Sequence, residues 1–379
     1  MNALVQQEHL ICFTQRNGFD VLLLTGDDPY RIEGAQPGFD GRIEALRITE
    51  HGRFGNVFYQ VLHAVLLARQ LGAGTIELFP FTGGPAEGRH VIDGLTFDVG
   101  RSPCCAAPTL VGHFFNSFAF QSALTGYPAS LLTGTVDRVM RPLLGHLAAG
   151  RPAVGADTVV LNLRAGDVFA AAVAAPWYVQ PPASYHVRAA LFAREAYGVS
   201  RAVLVSEDDR NPAGAVVRAA LEQARMEVTR QSLSFAEDVG LMLNAVHLVS
   251  PFGTLCEALG MLSHRLRSYT AFRQFESHRH LHMRRPSVPL TVLRAHHVTP
   301  IRIVDRSLGR GMDYIPPLGW DLSEEQLGLL RRFPIDRLHI DIPDDADDAC
   351  FAAFPPSPVA PAATEAYALR RRLIMPTAI

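Results

Sequence analysis

The chain has no lysine: its 35 basic residues are all arginines. Genomic base composition is the simplest cause, but the consequence is chemical. No Schiff-base lysine and no P-loop lysine can act here. Cysteine is also scarce. Cys12, Cys104, Cys105, Cys256 and Cys350 are odd in number and form no C-x-x-C pair. That speaks against a disulfide framework or a zinc site and fits reduced cytosolic thiols. No apolar run approaches the ~20 residues that span a bilayer. The amino terminus lacks the basic segment and apolar core of a signal peptide. These absences predict a soluble cytoplasmic protein, with peripheral membrane contact left open. A dominant charge is missing as well. The formal net charge is −2, without a basic block, which argues against nucleic acid as a partner.

What is present is enough apolar sequence for more than one core. At 379 residues and 48% hydrophobic, the chain predicts two domains. A strand over 45–49 runs into His51-Gly52-Arg53-Phe54-Gly55-Asn56. A helix over 57–71 follows, with Val57, Phe58, Val61, Leu62, Val65 and Leu66 at helical spacing. Gly72-Ala73-Gly74 ends it, and a strand over 75–79 completes a parallel β-α-β unit. Residues 84–155 read poorly apart from a helix over 136–148. From Asp157 the alternation is clean. Strands over 158–163, 202–206, 227–231 and 246–250 rotate with four helices, the pattern of a doubly wound sheet. Asn211-Pro212 opens the second helix. Ser234-Phe235-Ala236-Glu237 and Thr254-Leu255-Cys256-Glu257 read as capping boxes opening the third and fourth. After about 270 the pattern weakens to short strands, a helix over 323–333 and an acidic, proline-rich stretch. The predicted partition is therefore 1–155, 156–270 and a mixed, partly irregular extension over 271–379.

Familiar catalytic signatures are missing. There is no G-x-G-x-x-G after the first strand of either sheet, no G-x-S-x-G elbow and no H-E-x-x-H. What remains is a set of strand ends, where open α/β sheets bind ligands. Asn162-Leu163-Arg164-Ala165-Gly166-Asp167 ends the first strand of the second half. Two readings fit Arg164: an anchor for a phosphate or diphosphate, or a partner of Asp167 that pins the loop. Ser206-Glu207-Asp208-Asp209 ends the second strand. Ser234 lies after the third, and Ser250-Pro251-Phe252-Gly253-Thr254 follows the fourth. The helix amino termini there offer free N–H groups to an anion.

These segments together resemble the fucosyltransferase superfamily that holds the α-1,2 and nodulation-type α-1,6 enzymes. Gly52-Arg53-Phe54-Gly55-Asn56-Val57-Phe58-Tyr59-Gln60 is similar to the Gly-Arg-Leu-Gly-Asn-Gln-Met-Phe-Gln motif of the α-1,2 enzymes. Asn162-Leu163-Arg164-Ala165-Gly166-Asp167 is similar to their His-x-Arg-Arg-Gly-Asp. Ser206-Glu207-Asp208 stands where they have Ser-Asp-Asp. Phe235-Ala236-Glu237-Asp238, with Ser250 and Gly253-Thr254, resembles their next segment. The likeness covers 43–263.

The resemblance implies an α/β fold of two Rossmann-like domains facing each other, of the glycosyltransferase-B type. The amino-side domain would serve the acceptor, a glycan or lipid-linked glycan, through Arg53, Gly55 and Asn56. The second would bind a GDP-sugar, GDP-fucose as the best guess. Transfer would be inverting, without cofactor or metal, in a bacterial-type enzyme building a surface polysaccharide. Arg164 and Asp167 would be catalytic, with Glu50 and His51 as the other candidates for the acceptor base. Asn162, Gly166, Ser206, Glu207, Asp208, Ser234, Phe235, Glu237, Asp238, Ser250, Gly253 and Thr254 would hold the donor. A carboxylate cluster at 207–209 could alternatively hold a divalent cation. Two departures stand out. The motif histidine is Asn162, which cannot titrate near neutrality, and the second motif arginine is Ala165. Trp177 and Tyr178 read equally as a sugar platform or a packed lid. Histidines between 278 and 297 match no metal spacing, and Arg370, Arg371 and Arg372 read as an exposed helix face or a weak lipid contact.

Overall fold

A computed structural model describes residues 9–15, 18–24, 30–34, 39, 42–50, 52–101, 107–114, 134–150, 152–169, 180–251, 253–273, 299–304, 323–335 and 338–341. The chain is mixed α/β and divides after Leu144 into two compact units.

In the first unit, β1 (His9–Gln15) and β2 (Gly18–Leu24) form an antiparallel hairpin. A six-stranded sheet holds β3 (Tyr30–Glu33), β4 (Ala45–Ile48), β5 (Thr75–Leu78), β6 (Gly88–Ile92), β7 (Leu95–Val99) and β8 (Thr109–Gly112). Its order is β3-β8-β4-β5-β7-β6. The four central strands are parallel, and the antiparallel β3 and β6 form the edges. Helix α1 (Phe54–Leu71) crosses from β4 to β5 as predicted, starting three residues earlier than the periodicity gave. Nearly all of it is buried, which is what a helix apolar on most sides requires. Gly72, left-handed at φ 72°, stops it and returns its N–H to the Ala68 carbonyl. The hairpin β6–β7 went unread because Arg89 and His90 break the apolar alternation. The helix expected over 136–148 is a composite. A π turn (Val136–Met140) leads into α2 (Arg141–Leu144), and a 3₁₀ turn (Gly145–Leu147) follows. Pro142 supplies no N–H to this run, one reason it departs from a regular α-helix.

The second unit is a seven-stranded sheet in the order β11-β10-β9-β12-β13-β14-β15. Its strands are β9 (Thr158–Asn162), β10 (Arg201–Val205), β11 (Glu227–Gln231), β12 (His247–Ser250), β13 (Ser268–Arg273), β14 (Thr299–Val304) and β15 (His339–Asp341). The first six are parallel, in the 3-2-1-4-5-6 order of the doubly wound nucleotide-binding sheet, and β15 closes the edge antiparallel. The helices are α3 (Ala183–Tyr197), α4 (Ala213–Gln223), α5 (Phe235–Leu243), α6 (Thr254–Leu262) and α7 (Glu324–Arg332). Every residue of β9 is buried, as a central parallel strand demands. The core beneath it joins Val159, Leu161, Tyr185, Ala189, Leu204 and Val217. Strands β13 and β14 add two members beyond the four that the alternation gives. Among the described residues, no helix is long and apolar enough to cross a membrane.

Candidate functional site

The second sheet reverses its winding between β9 and β12, so a crevice belongs at the carboxyl ends of these two strands. Arg164 leaves β9 there, after Leu163 has made one last bond to the Val205 carbonyl at 2.7 Å. Its side chain is 15% exposed. One terminal nitrogen, Nη2, reaches Asp167 Oδ1 at 3.4 Å, longer than a strong ion-paired hydrogen bond. The other, Nη1, lies 3.4 Å from the place a Cβ on Gly253 would occupy. Asn211 Nδ2 holds the Arg164 carbonyl at 2.8 Å while its Oδ1 caps α4 through the Ala213 N–H at 2.9 Å. The asparagine cap read from the sequence therefore also fixes the backbone that carries the arginine.

Gly253 is the residue before α6, at φ 138° and ψ 169°, and Thr254 is the first helical residue. This corrects one expectation. Gly253 holds the N-cap place, so Thr254 and Glu257 do not form a capping box. Glu257 is 1% exposed and faces the interior. The amino-terminal turn of α6 thus lies beside the Arg164 guanidinium, and a helix amino terminus next to a guanidinium is a pairing suited to an anion.

Gly166, at φ 62°, turns the chain into a 3₁₀ turn (Gly166–Phe169) that carries Asp167. An added methyl there would overlap the Glu207 carboxylate. The Gly166 N–H points to Asp208 Oδ1 at 3.4 Å. Asp208 also accepts from the Arg210 N–H at 2.9 Å, and Ser206 Oγ donates to the Asp208 carbonyl at 2.7 Å. Asp209 pairs with Arg230. The three acidic residues are thus spread over different partners. Among the described residues, no three His, Cys, Asp or Glu side chains gather as metal ligands. A cavity of about 610 Å³ opens at the ends of β10 and β11, lined by Glu207, Asp208, Asp209, Arg230, Gln231, Ser232 and Leu233.

The other donor-side candidates divide. Asn162 is buried and donates to Cys256 Sγ at 3.1 Å, on the underside of α6. Ser250 Oγ turns to the Pro251 carbonyl at 2.8 Å. Ser234 and Glu237 form the predicted capping box, each side chain bonded to the other's N–H at 3.3 and 3.1 Å. Phe235 opens α5 behind them. Asp238 accepts from Gln231 Nε2 at 3.0 Å and lies 3.4 Å from the Leu233 N–H, fastening α5 to the end of β11. These four stand two strands away from β9 and are not brought to Arg164.

On the first unit, Arg53 is the extended residue before α1, and its carbonyl accepts from the Val57 N–H at 3.0 Å. Gly52, at φ 76°, lets Asn56 fold back over it. Gly55 is buried in the first turn. Gln60 and His63, one turn on, hold the backbone of Phe114 by its N–H (3.3 Å) and its carbonyl (2.8 Å), just past β8. His51, Trp177, Tyr178, Phe252, the histidines 278–297 and Arg370, Arg371 and Arg372 lie outside the described residues.

One residue that sequence reading passed over is Tyr185, in the first turn of α3. It is fully buried, and its hydroxyl lies 2.6 Å from the Ser250 carbonyl and 3.1 Å from the Thr270 carbonyl. The Pro181-Pro182 pair before α3 signals a helix start, but nothing local signals these distant partners.

No family model and no curated protein sequence matches this chain. Among solved structures, POFUT1 in complex with GDP is similar at 12% identity and a TM-score of 0.35, over 61% of this chain and 98% of that one. POFUT1 in complex with GDP-fucose is similar at 12% identity and a TM-score of 0.32, over 60% and 94%. At TM-scores this low the likeness decides nothing about this chain, whose own geometry must carry any reading.

Proposed function

We propose that this chain is a glycosyltransferase that moves a sugar from a nucleotide diphosphate to a glycan hydroxyl. The supporting observation is the meeting of Arg164 with Gly253 and the amino terminus of α6, at the winding reversal of a 3-2-1-4-5-6 sheet. A guanidinium and a helix amino terminus suit two negative oxygens on adjacent phosphates. In the reaction, the acceptor oxygen bonds the anomeric carbon from the face opposite the leaving group. The bond from that carbon to the β-phosphate oxygen breaks, and its electron pair leaves with the nucleotide. Arg164 and the α6 amides take up the charge that develops there. The acceptor proton must pass to a base, for which Glu50, His51 and Asp167, half exposed on the 3₁₀ turn, are the candidates. Transfer on this scheme inverts the anomeric centre and asks for no metal. The guanine base and fucose rest on the motif resemblance, as does the partition into a donor-binding and an acceptor-binding Rossmann-like domain. A lipid-linked glycan is a second acceptor within the same scheme.

A second reading is a silent nucleotide- or glycan-binding protein. Asn162 favours it, because the position is spent on Cys256 and offers no titrating group. A thermal-shift series with GDP-fucose, GDP-mannose, UDP-sugars and dTDP-sugars separates the cases. The wild type should be stabilised by a GDP-sugar, and Arg164→Ala should lose that stabilisation. Equal shifts in both proteins would remove Arg164 from the site. Slow hydrolysis of the bound GDP-sugar marks an enzyme; binding with no turnover on any acceptor marks the silent protein.

A further inference from the structure

We propose that Tyr185 is a positioning residue for the diphosphate: its buried hydroxyl, bonded to the Ser250 carbonyl, sets where Gly253 and the first turn of α6 meet Arg164. This rests on the nucleotide-diphosphate reading above.

A phenol has one proton. With carbonyls at 2.6 and 3.1 Å, Tyr185 donates to Ser250 as the nearer acceptor and keeps Thr270 close beside it. Burial disfavours the phenolate strongly, so the group remains a donor. Its ring is held edge-on by His186 and Phe272, each with centroids 5.0 Å away. The hydroxyl therefore has little freedom to follow the backbone it grips.

Ser250 is the last residue of β12, and three residues separate it from α6. The turn is restrained at both of its ends. Pro251 fixes one φ, Ser250 Oγ closes on the Pro251 carbonyl at 2.8 Å, and Gly253 sits in a region closed to other residues. A shift at its root is then passed to its tip. Tyr185 holds the root; Arg164 Nη1 packs against the tip. The same bond ties the start of α3 to the end of β12, so it also sets how closely α3 approaches this edge.

A core role alone predicts lower stability and no preference among nucleotides. Positioning predicts a loss confined to ligands that carry the second phosphate. The test is calorimetric titration of the full chain with GDP and with GMP. It compares the wild type, Tyr185→Phe, and Val217→Ala, a core truncation on α4. Tyr185→Phe should weaken GDP binding about tenfold, the equivalent of one buried hydrogen bond, and leave GMP binding within about twofold. Val217→Ala should lower the melting temperature without changing the GDP-to-GMP ratio. Unchanged GDP binding in Tyr185→Phe, an equal loss for GDP and GMP, or the same selective loss in Val217→Ala would each overturn the assignment. Failure of the wild type to bind GDP would instead overturn the nucleotide reading on which it rests.

Discussion

At Gly253 a methyl group would strain the backbone and touch Arg164. The φ of 138° is closed to side chains, and the Cβ would lie 3.4 Å from Arg164 Nη1. Gly253→Ala should therefore cost about 1–3 kcal/mol in urea unfolding and weaken GDP as well. A variant with wild-type stability and wild-type GDP affinity would show that this turn is neither strained nor near the ligand. Arg164 and Gly253 were legible in the sequence because each follows an apolar strand and precedes a turn or helix, and topology does the rest. Tyr185 was not. A tyrosine in an apolar helix reads as core, and its acceptors lie in β12 and β13, far along the chain. Side-chain bonds to remote carbonyls leave no local pattern. The fate of Asn162 was equally hidden, since its partner Cys256 read only as one more reduced thiol.

Two helix starts that look alike in sequence differ in structure. At α5, Ser234 and Glu237 satisfy one another's N–H groups. At α6, Thr254 has moved one place inward and Gly253 stands before it. Ser234→Ala should thus destabilise the protein by about 1 kcal/mol, with Thr254→Ala costing much less through capping. Urea denaturation of both variants measures the contrast; equal losses would restore a capping role to Thr254. Ser/Thr-x-x-Glu specifies a cap only when the first residue is free to be extended, and here the glycine takes that place. Elsewhere the elements were read well where period and punctuation agree. α1 ends at Gly72, α3 ends at Gly198, and Ser323 caps α7 through the Gln326 N–H. Edge strands such as β6 were lost because only half their residues are turned to a core.

Across the whole molecule, two buried histidines set an acid limit. Burial lowers His186 to about 3, and lowers His247 as well, where Arg267 adds repulsion. Ser268 Oγ lies 2.7 Å from His247 Nδ1, the Tyr197 ring stacks on the imidazole, and a hydrogen bond to the Ala156 backbone opposes the lowering in part. A folded pKa below the unfolded one means the unfolded chain takes up more protons. Stability is then complete above the unfolded value of 6.5 and falls as pH drops toward 3. Asp98, held low by its hydrogen bonds to Arg89, loses its contribution in the same direction at still lower pH. The melting temperature should fall from about pH 7 to about pH 4.5, less steeply in His186→Leu. A flat profile in the wild type would contradict this burial. At this scale the sequence conveyed the β-α alternation but not the sheet's full width, because the third pair of parallel strands follows a stretch with no clear period. The width has a consequence for synthesis. Because β9 sits between β10 and β12, the nascent chain carries a strand destined for complete burial with one open flank until β12 emerges. During that interval it is a template for pairing with other chains, so yield on expression should depend more on chaperone supply and translation speed than on the stability of the finished protein.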